Sequence, residues 1–330
     1  MSIEKISVLG GGAWGTALAL TCARAGRSVV LWEFDAGNAE HLERKRESRF
    51  LPGIRLDDSI KVTRALAEAT RADAMLLVVP AQAMRPVVKS LAQTMRDGTS
   101  LIACAKGIEH GTHKFMTEVI AECAPRATPA ILSGPSFAAD VARGLPTAVT
   151  LACADREQGE TWMRTVGRPH FRTYWSDDLV GAEAGGAVKN VLAIACGVSE
   201  GMGLGRSAHA ALIARGFSEM TRLGVKLGGR AETLAGLCGL GDLVLTCSSP
   251  QSRNMSFGME LGRGRKAADV LGERSGVTEG ADSAQAVVAL GARLGVDLPI
   301  CQTVNELIDG RLDARQALDR LLNRPFREET

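Results

Sequence analysis

Lys189 and Asn190 are the only strongly polar residues in an apolar run, residues 185–198, that predicts a helix. A lysine in such a run either extends its charged end to the edge of the helix or acts as a proton donor whose pKa its surroundings lower. The pKa of lysine in water is about 10.4, too high for efficient proton exchange at neutral pH. Burial beside Val188, Val191 and Leu192, or a nearby Lys106, lowers that pKa, whereas pairing with Asp242 opposes the change.

Further polar residues follow predicted strands. Lys106 in "ACAKGIE", and Gly134 and Ser136 in "LSGPSFA", each come after an apolar strand pattern. Open α/β sheets bind ligands at the carboxyl ends of their strands, so these residues are candidates for a ligand site. Taken alone, Lys106 could equally be a solvated loop residue.

A third polar segment, "GLGDLVLTCSSPQSRN", is expected as a long loop in the second half of the chain. Arg253 can bind a phosphate through two parallel hydrogen bonds, and Ser252 and Asn254 can add donors. The alternatives are that Asp242 caps the next helix and that "SRN" is an ordinary turn.

The segment "GGGAWG" fits a dinucleotide-binding pattern with Gly10, Gly12 and Gly15. Gly10 allows the tight turn, Gly12 lets a pyrophosphate approach the backbone, and Gly15 lets helix and strand pack closely. Glu33 ends the next predicted strand, where a carboxylate can bind ribose hydroxyls and repel a 2′-phosphate. In sequence, the basic residues nearest to Glu33 are Arg27 and Arg44, which favours NAD over NADP.

The elements around these residues divide the chain into two domains, 1–180 and 181–330. In the first, strands alternate with helices, which predicts a doubly wound, mostly parallel sheet of the Rossmann type. Its strands are expected at "KISVLG", "SVVLWE", "MLLVVP", "SLIACAK", "PAILSG", "TAVTLAC" and "HFRTYWS", with an Arg-rich helix running through Arg49. The second domain is expected to be all-helical, over residues 178–203, 208–227, 278–294, 303–309 and 314–323.

Composition argues against several other classes of protein. The 39 basic and 37 acidic residues give a net charge of only +2, and aromatics make up 4%, which disfavours nucleic acid as a partner. The eight cysteines and five histidines show no metal-ligand spacing, so we expect reduced thiols and no metal. We expect no signal peptide, and the most apolar stretch, residues 184–199, is predicted to be too short for a membrane span.

Taken together, "GGGAWGTALA", "AKGIE", "LSGPSFA", "AVKNVLAIA" and "GLGDLVLTCSSPQSRN" resemble bacterial NAD(P)-dependent glycerol-3-phosphate dehydrogenases over nearly the whole chain. The resemblance implies a Rossmann domain followed by a helical domain of the 6-phosphogluconate dehydrogenase type. It implies the reversible reduction of dihydroxyacetone phosphate to sn-glycerol 3-phosphate, which supplies phospholipid synthesis. It also fits a cytoplasmic enzyme, for which a homodimer is the usual state.

The resemblance implies a role for each matching residue. Lys189 is the proton donor and acceptor, and Lys106 and Asp242 complete the catalytic group. The implied substrate residues are Lys106, Gly134, Ser136, Lys189, Asp242, Ser252, Arg253 and Asn254. The cofactor residues are Gly10, Gly12, Ala13, Trp14, Gly15, Glu33, Phe34, Lys106, Ala138, Arg253, Val277 and Glu279. Relatives often carry a basic residue or histidine just after "LW", whereas this chain has "LWEFD", in which Phe34 could only stack; NAD is therefore expected, with NADP as the alternative.

Two other functions remain open at this point. A 3-hydroxyacid dehydrogenase of the same superfamily also uses a lysine on a central helix, although the "LTCSSPQSRN" segment favours a phosphate over a carboxylate. A protein that senses NAD(H) without catalysis would leave the Lys–Asp–Arg–Asn set unexplained.

Overall fold

Ten strands and sixteen α-helices occur in residues 3–274 and 276–325, the part of the chain that the computed structural model describes. The strands are β1 (Lys5–Leu9), β2 (Ser28–Trp32), β3 (Glu47–Ser48), β4 (Leu51–Arg55), β5 (Lys61–Thr63), β6 (Ala74–Leu77), β7 (Ser100–Ala103), β8 (Thr128–Ser133), β9 (Thr147–Cys153) and β10 (Phe171–Ser176). The helices are α1 (Ala13–Arg24), α2 (Ala36–Lys45), α3 (Leu66–Ala69), α4 (Met84–Ala92), α5 (Met116–Cys123), α6 (Ala138–Arg143), α7 (Arg156–Val166), α8 (Leu179–Gly201), α9 (Gly205–Lys226), α10 (Ala231–Ala235), α11 (Asp242–Cys247), α12 (Arg253–Gly262), α13 (Ala267–Gly272), α14 (Glu279–Leu294), α15 (Pro299–Ile308) and α16 (Ala314–Leu322). A 3₁₀ turn at Ala81–Ala83 and a π-helical turn at Leu237–Gly241 complete them.

The first half of the chain forms a Rossmann-type sheet in the order β10-β9-β8-β7-β6-β1-β2-β5. Every neighbouring pair is parallel except β8 and β9, which are antiparallel. All residues of β6 and β7 are buried, because helices cover both faces of the sheet. The predicted doubly wound fold and its seven strands are confirmed.

Two features of this half differ from the prediction. The Arg-rich helix was expected to continue through Arg49, but α2 ends at Lys45 because Arg46 adopts a left-handed conformation with φ of 51°. The chain then forms the hairpin of β3 and β4, followed by the short edge strand β5, none of which the hydrophobic pattern indicated. These strands are short and partly exposed, so they carry little apolar periodicity.

The second half is all-helical, and α8 is its central element. Glycines allow the backbones of α8 and α12 to touch: a Cβ on Gly197 would lie 2.1 Å from the Met255 carbonyl oxygen, and one on Gly258 would lie 2.1 Å from that of Ile194. The predicted helices are confirmed within a few residues at their ends. The expected loop over residues 239–254 is wrong, because this segment forms most of the π-helical turn, α11 and the start of α12.

Helix α8 has 23 residues and is long and apolar enough to cross a membrane, which corrects the prediction that this stretch is too short. However, 83% of its most apolar window is buried inside the protein. It packs against α9, α10, α11, α12, α14 and α15, so its hydrophobicity is explained by its position in the core.

The two halves meet along a shared interface near the start of α8. Strand β10 ends at Ser176 and α8 begins at Leu179. Glu183 of α8 accepts hydrogen bonds from the backbone nitrogen and the hydroxyl of Thr117 in α5. The division into 1–180 and 181–330 stays a prediction, and its outer bounds lie outside the described residues.

Candidate active site

Lys189 lies near the middle of α8 and is 6% exposed, so it is not a lysine that reaches solvent. Its Nζ donates to Oδ1 of Asp242 at 2.7 Å and to the hydroxyl of Thr246 at 2.9 Å. Both partners lie on α11, which packs across α8. The charged end of Lys189 is therefore held in one position inside the protein.

Asp242 joins the two halves of the chain electrostatically. Its Oδ2 accepts a hydrogen bond of 2.7 Å from Nζ of Lys106, which follows β7 in the Rossmann half. Asp242 is 1% exposed and is the first residue of α11, so it does not serve as the helix cap considered above. One buried carboxylate thus holds two ammonium groups, at equal distance, where the halves meet.

The pKa values of this cluster follow from burial and from the three charges. The pKa of Lys189 is lowered to about 8: burial is the largest cause, the ammonium of Lys106 also lowers it, and Asp242 acts in the opposite direction. Burial by itself would raise the pKa of Asp242, but the two lysines lower it overall. Burial therefore outweighs the pairing at Lys189, and this decides the balance that the residue types left open.

Thr246 and Asn190 belong to this cluster but are absent from the predicted set. Thr246 also donates to Asp242 across one turn of α11, at 3.3 Å. Asn190 donates to the carbonyl oxygen of Lys106 at 3.1 Å and accepts from Nδ2 of Asn254 at 2.9 Å. The i, i+4 spacing of Asp242 and Thr246 was a usable signal, but it was lost because the segment was interpreted as a loop.

Some of the residues predicted to bind the substrate contact this cluster directly, and others do not. The Gly134 carbonyl accepts from Nζ of Lys106 and from the hydroxyl of Ser136, both at 2.9 Å, so all three are adjacent. Ser252 is the N-cap of α12 and accepts from the Met255 amide.

Asn254 and Arg253 differ in how far their side chains are already used. Asn254 accepts from the Gly280 amide and donates to Asn190, so it links α8, α12 and α14. Arg253 is exposed, and its guanidinium has no hydrogen bond or ion pair within residues 3–274 and 276–325. It is therefore available to bind an anion.

The glycine-rich turn fits a dinucleotide in each of its three positions. A Cβ on Gly10 (φ +117°) would lie 2.9 Å from the Val78 carbonyl oxygen, and one on Gly15 would lie 1.7 Å from that of Gly10. At Gly12, by contrast, a Cβ would meet nothing within 4 Å. Gly12 is the N-cap of α1 and no side chain caps that helix, so its first amides can hold a pyrophosphate.

Glu33 directly follows β2, as predicted, but its carboxylate is turned towards the protein. It is 9% exposed and accepts from the Gly11 amide, from Nδ2 of Asn38 and from the Asp35 amide. Asn38 also donates to the Gly11 carbonyl oxygen, so Gly11 is held at both ends. Since a carboxylate accepts about four hydrogen bonds, one remains for a ribose hydroxyl.

The other predicted cofactor residues lie at helix starts and on the surface. Ala13 and Trp14 open α1, Ala138 opens α6 and Glu279 opens α14, with Val277 two residues earlier and partly exposed. Phe34 is 78% exposed, as a stacking residue requires. The indole nitrogen of Trp14 is buried and has no hydrogen-bond partner among the described residues.

Glu279 is the one acidic side chain of this set that contacts the loop carrying Lys106. Its Oε2 lies 2.6 Å, and the Ala81 Cβ 2.7 Å, from the point that a Cβ on Gly107 would occupy, so a side chain there would displace its neighbours. Burial raises the pKa of Glu279, and a hydrogen bond from the Ala81 backbone opposes that change. Residues 3–274 and 276–325 contain no group of three or more His, Cys, Asp or Glu placed to hold a metal ion, and all eight cysteines are free.

Comparison with known families gives two matches that together span most of the chain. The model described as NAD-dependent glycerol-3-phosphate dehydrogenase N-terminus matches residues 5–159, and the one described as the C-terminus of the same family matches residues 178–319.

Individual relatives are similar over their full length. A protein of Rhodopseudomonas palustris (strain HaA2) named glycerol-3-phosphate dehydrogenase (NAD(P)+) is 58% identical over 99% of this chain and 99% of its own. A protein of the same name from Maricaulis maris (strain MCS10) is 55% identical over 99% of this chain and 98% of its own. The crystal structure of glycerol-3-phosphate dehydrogenase from Coxiella burnetii superposes with a TM-score of 0.94 at 37% identity, covering 98% of this chain and 99% of that chain.

Proposed function

Because this chain belongs to the NAD-dependent glycerol-3-phosphate dehydrogenase family, we propose that Lys189, Asp242 and Lys106 form the catalytic group of this oxidoreductase. The reaction is the NAD(P)-dependent interconversion of dihydroxyacetone phosphate and sn-glycerol 3-phosphate. Family membership selects this activity over a 3-hydroxyacid dehydrogenase and over a sensor without catalysis. The observation that supports the proposed site most directly is the buried Lys106–Asp242–Lys189 cluster.

Lys189 provides the proton for the alcohol oxygen. When a ketone is reduced, negative charge develops on its oxygen, and a positioned acid stabilises that charge by donating a proton. A pKa of about 8 keeps most of Lys189 protonated at neutral pH. This value is close enough to neutral pH for the side chain both to donate and to accept a proton. The bonds to Asp242 and Thr246 fix the direction of the N–H groups.

Arg253 is the proposed main contact to the substrate phosphate, since its guanidinium has no partner among the described residues and can bind two oxygens at once. Lys106, Gly134, Ser136, Ser252 and Asn254 are the remaining proposed substrate contacts. Holding the phosphate at one end positions the carbonyl carbon at the other, which is how binding energy away from the reaction assists the chemistry.

The dinucleotide supplies or accepts the hydride when bound. Gly10, Gly12 and Gly15 shape the turn, and the amides at Ala13 and Trp14 face the pyrophosphate in this proposal. Glu33 and Phe34 receive the adenosine end. The remaining proposed cofactor contacts are Lys106, Ala138, Arg253, Val277 and Glu279.

The finer features of the function are also proposals. The product is proposed to supply phospholipid synthesis in the cytoplasm, and the enzyme is proposed to be a homodimer that binds neither nucleic acid nor membrane. The end of β10 at Ser176 supports a Rossmann domain at 1–180 and a helical domain at 181–330. The near-neutral charge supports a small-molecule enzyme over a nucleic-acid-binding protein.

Lys189→Ala tests the catalytic assignment. Turnover of dihydroxyacetone phosphate should fall by about 10²–10⁴, the usual contribution of a positioned acid, whereas NADH binding followed by fluorescence should persist. Asp242 keeps Lys106 as a partner in this variant, so the protein should fold. Lys226→Ala, which removes an exposed lysine at the end of α9, is the matched control. A kcat near that of the wild type in Lys189→Ala would exclude the assigned role.

A further inference from the structure

The hairpin of β3 and β4 brings a basic residue to the start of α2, although the two are distant in sequence. Nη1 of Arg49 lies 3.8 Å from the point that a Cβ on Gly37 would occupy. Gly37 is the second residue of α2, the helix that follows Glu33 and the adenosine end of the dinucleotide site. A guanidinium therefore lies near the adenosine end of the site, although Arg49 is farther from Glu33 in sequence than Arg27 and Arg44.

Among the described residues the guanidinium of Arg49 has no partner, unlike those of Arg44 and Arg46. Arg44 pairs with Glu40 one turn away, and Arg46 donates to the carbonyl oxygens of Asp57 and Ile60. Arg49 is exposed and forms no hydrogen bond or ion pair with any residue in 3–274 or 276–325. Within those residues Arg49 therefore lacks hydrogen bonds of the kind that hold Arg46.

Helix α2 adds hydrogen-bond donors at the same point. The Asn38 amide donates to the Asp35 side chain and the Ala39 amide donates to the Asp35 carbonyl. The first two amides of the helix, at Ala36 and Gly37, have no acceptor within the helix because no turn precedes them. Such amides and the helix dipole attract an anion.

The carboxylates of Glu33 and Asp35 determine the sign of the charge around the start of α2. Glu33 is turned inwards, and three N–H donors compensate its charge: the Gly11 amide of the glycine-rich turn and, at the start of α2, the Asp35 amide and Nδ2 of Asn38. Asp35 lies closer, with Oδ1 at 3.5 Å from the same point near Gly37. Arg49 offsets Asp35, and without Arg49 the point carries a net negative charge.

We infer that Arg49 is the residue through which this chain accepts the 2′-phosphate of NADP(H), so that it determines the preference between the two dinucleotides. A 2′-phosphate extends from the ribose that lies next to the residue ending β2, and an arginine nearby is what accommodates it in folds of this type. The guanidinium can donate two parallel hydrogen bonds to it, with the Ala36 and Gly37 amides as further donors. This inference rests on the dinucleotide site proposed above.

The test measures dissociation constants rather than turnover. NADH and NADPH are titrated by fluorescence, and 5′-AMP and 2′,5′-ADP by calorimetry, against the wild type, Arg49→Gln, Arg49→Lys and Arg44→Gln. Arg49→Gln should raise the NADPH-to-NADH ratio of dissociation constants by about 10-fold, which corresponds to about 1.4 kcal/mol. The 2′,5′-ADP to 5′-AMP ratio should rise in parallel, since these fragments differ only in the phosphate in question.

Arg49→Lys keeps the charge and should keep most of the preference. Arg44→Gln removes one exposed arginine of α2 and should leave both ratios within about twofold, as for an exposed ion pair. Equal ratios in Arg49→Gln and the wild type, or the same change in Arg44→Gln, would overturn the inference, as would a wild type that does not bind NADPH. Failure of the wild type to bind either dinucleotide would instead contradict the proposed function.

Discussion

Replacing Asp242 with Asn tests how the buried cluster sets the proton donor. The change removes one negative charge that lies 2.7 Å from each of the two ammonium nitrogens and keeps the shape of the side chain. At an effective dielectric constant of about 20, a pair of unit charges at about 4 Å interacts by about 4 kcal/mol. Because each pH unit corresponds to about 1.4 kcal/mol, the protonation midpoint of Lys189 should move about three pH units towards acid.

The direction of this change follows from the charges. Asp242 stabilises the ammonium form of Lys189, so its loss leaves burial and Lys106, which both favour the neutral amine. From a wild-type pKa of about 8, the protonated fraction at pH 7 changes from most of the population to a small minority. The rate of ketone reduction at pH 7 should therefore fall on the order of 100-fold and recover partly as the pH is lowered.

The assay is kcat/KM for reduction of dihydroxyacetone phosphate between about pH 4 and 9.5, in roughly half-unit steps, with NADH binding as the test of folding. The wild type should lose activity above about pH 8, where Lys189 loses its proton. Asp97→Asn, which removes an exposed carboxylate paired with Arg126, should leave the profile in place. A profile for Asp242→Asn whose midpoint stays near that of the wild type, or moves to higher pH, would refute the reasoning.

Three further predictions concern the fold around the site. Gly15→Ala should destabilise the protein by roughly 1–3 kcal/mol through overpacking, because the Cβ would lie 1.7 Å from the Gly10 carbonyl oxygen. Gly12→Ala, whose Cβ meets nothing within 4 Å, should keep the Tm of the wild type but weaken NADH binding. An equal loss of Tm in both variants would contradict this. Gly258→Ala should lower the Tm in thermal unfolding, because the added Cβ would meet the Ile194 backbone. Gly272→Ala, in open space at the end of α13, should change the Tm little. Similar Tm values for both variants would count against the close packing of α8 and α12. Burial raises the pKa of Glu183 from 4.5 to about 7, so the folded state binds this proton more tightly than the unfolded state. The free energy of unfolding should therefore fall by about 3 kcal/mol as the pH rises from 4.5 to 7. Glu183→Gln should remove this pH dependence of the unfolding free energy measured by urea titration, and an unchanged dependence would show that Glu183 does not titrate as expected.

The parts of this protein that its sequence determined are those set by local patterns. Apolar strands alternating with helical periods predicted the Rossmann-type sheet, because burial on both faces requires continuous apolar strands. The spacing of Gly10, Gly12 and Gly15 predicted the turn that the structure contains, because only residues without a Cβ allow the close backbone contacts at Gly10 and Gly15. The apolar run around Lys189 predicted a buried helix, which is α8.

The tertiary structure alone decided which of these local features meet. Lys106, Lys189 and Asp242 come from three separate segments, and whether burial or pairing sets the pKa of Lys189 depends on distances that no local pattern contains. Arg49 was predicted to end a helix, yet it lies on a hairpin beside Gly37. Local propensity follows from neighbouring residues, whereas electrostatics depends on separations in space, and those are fixed only when the two halves of the chain pack together.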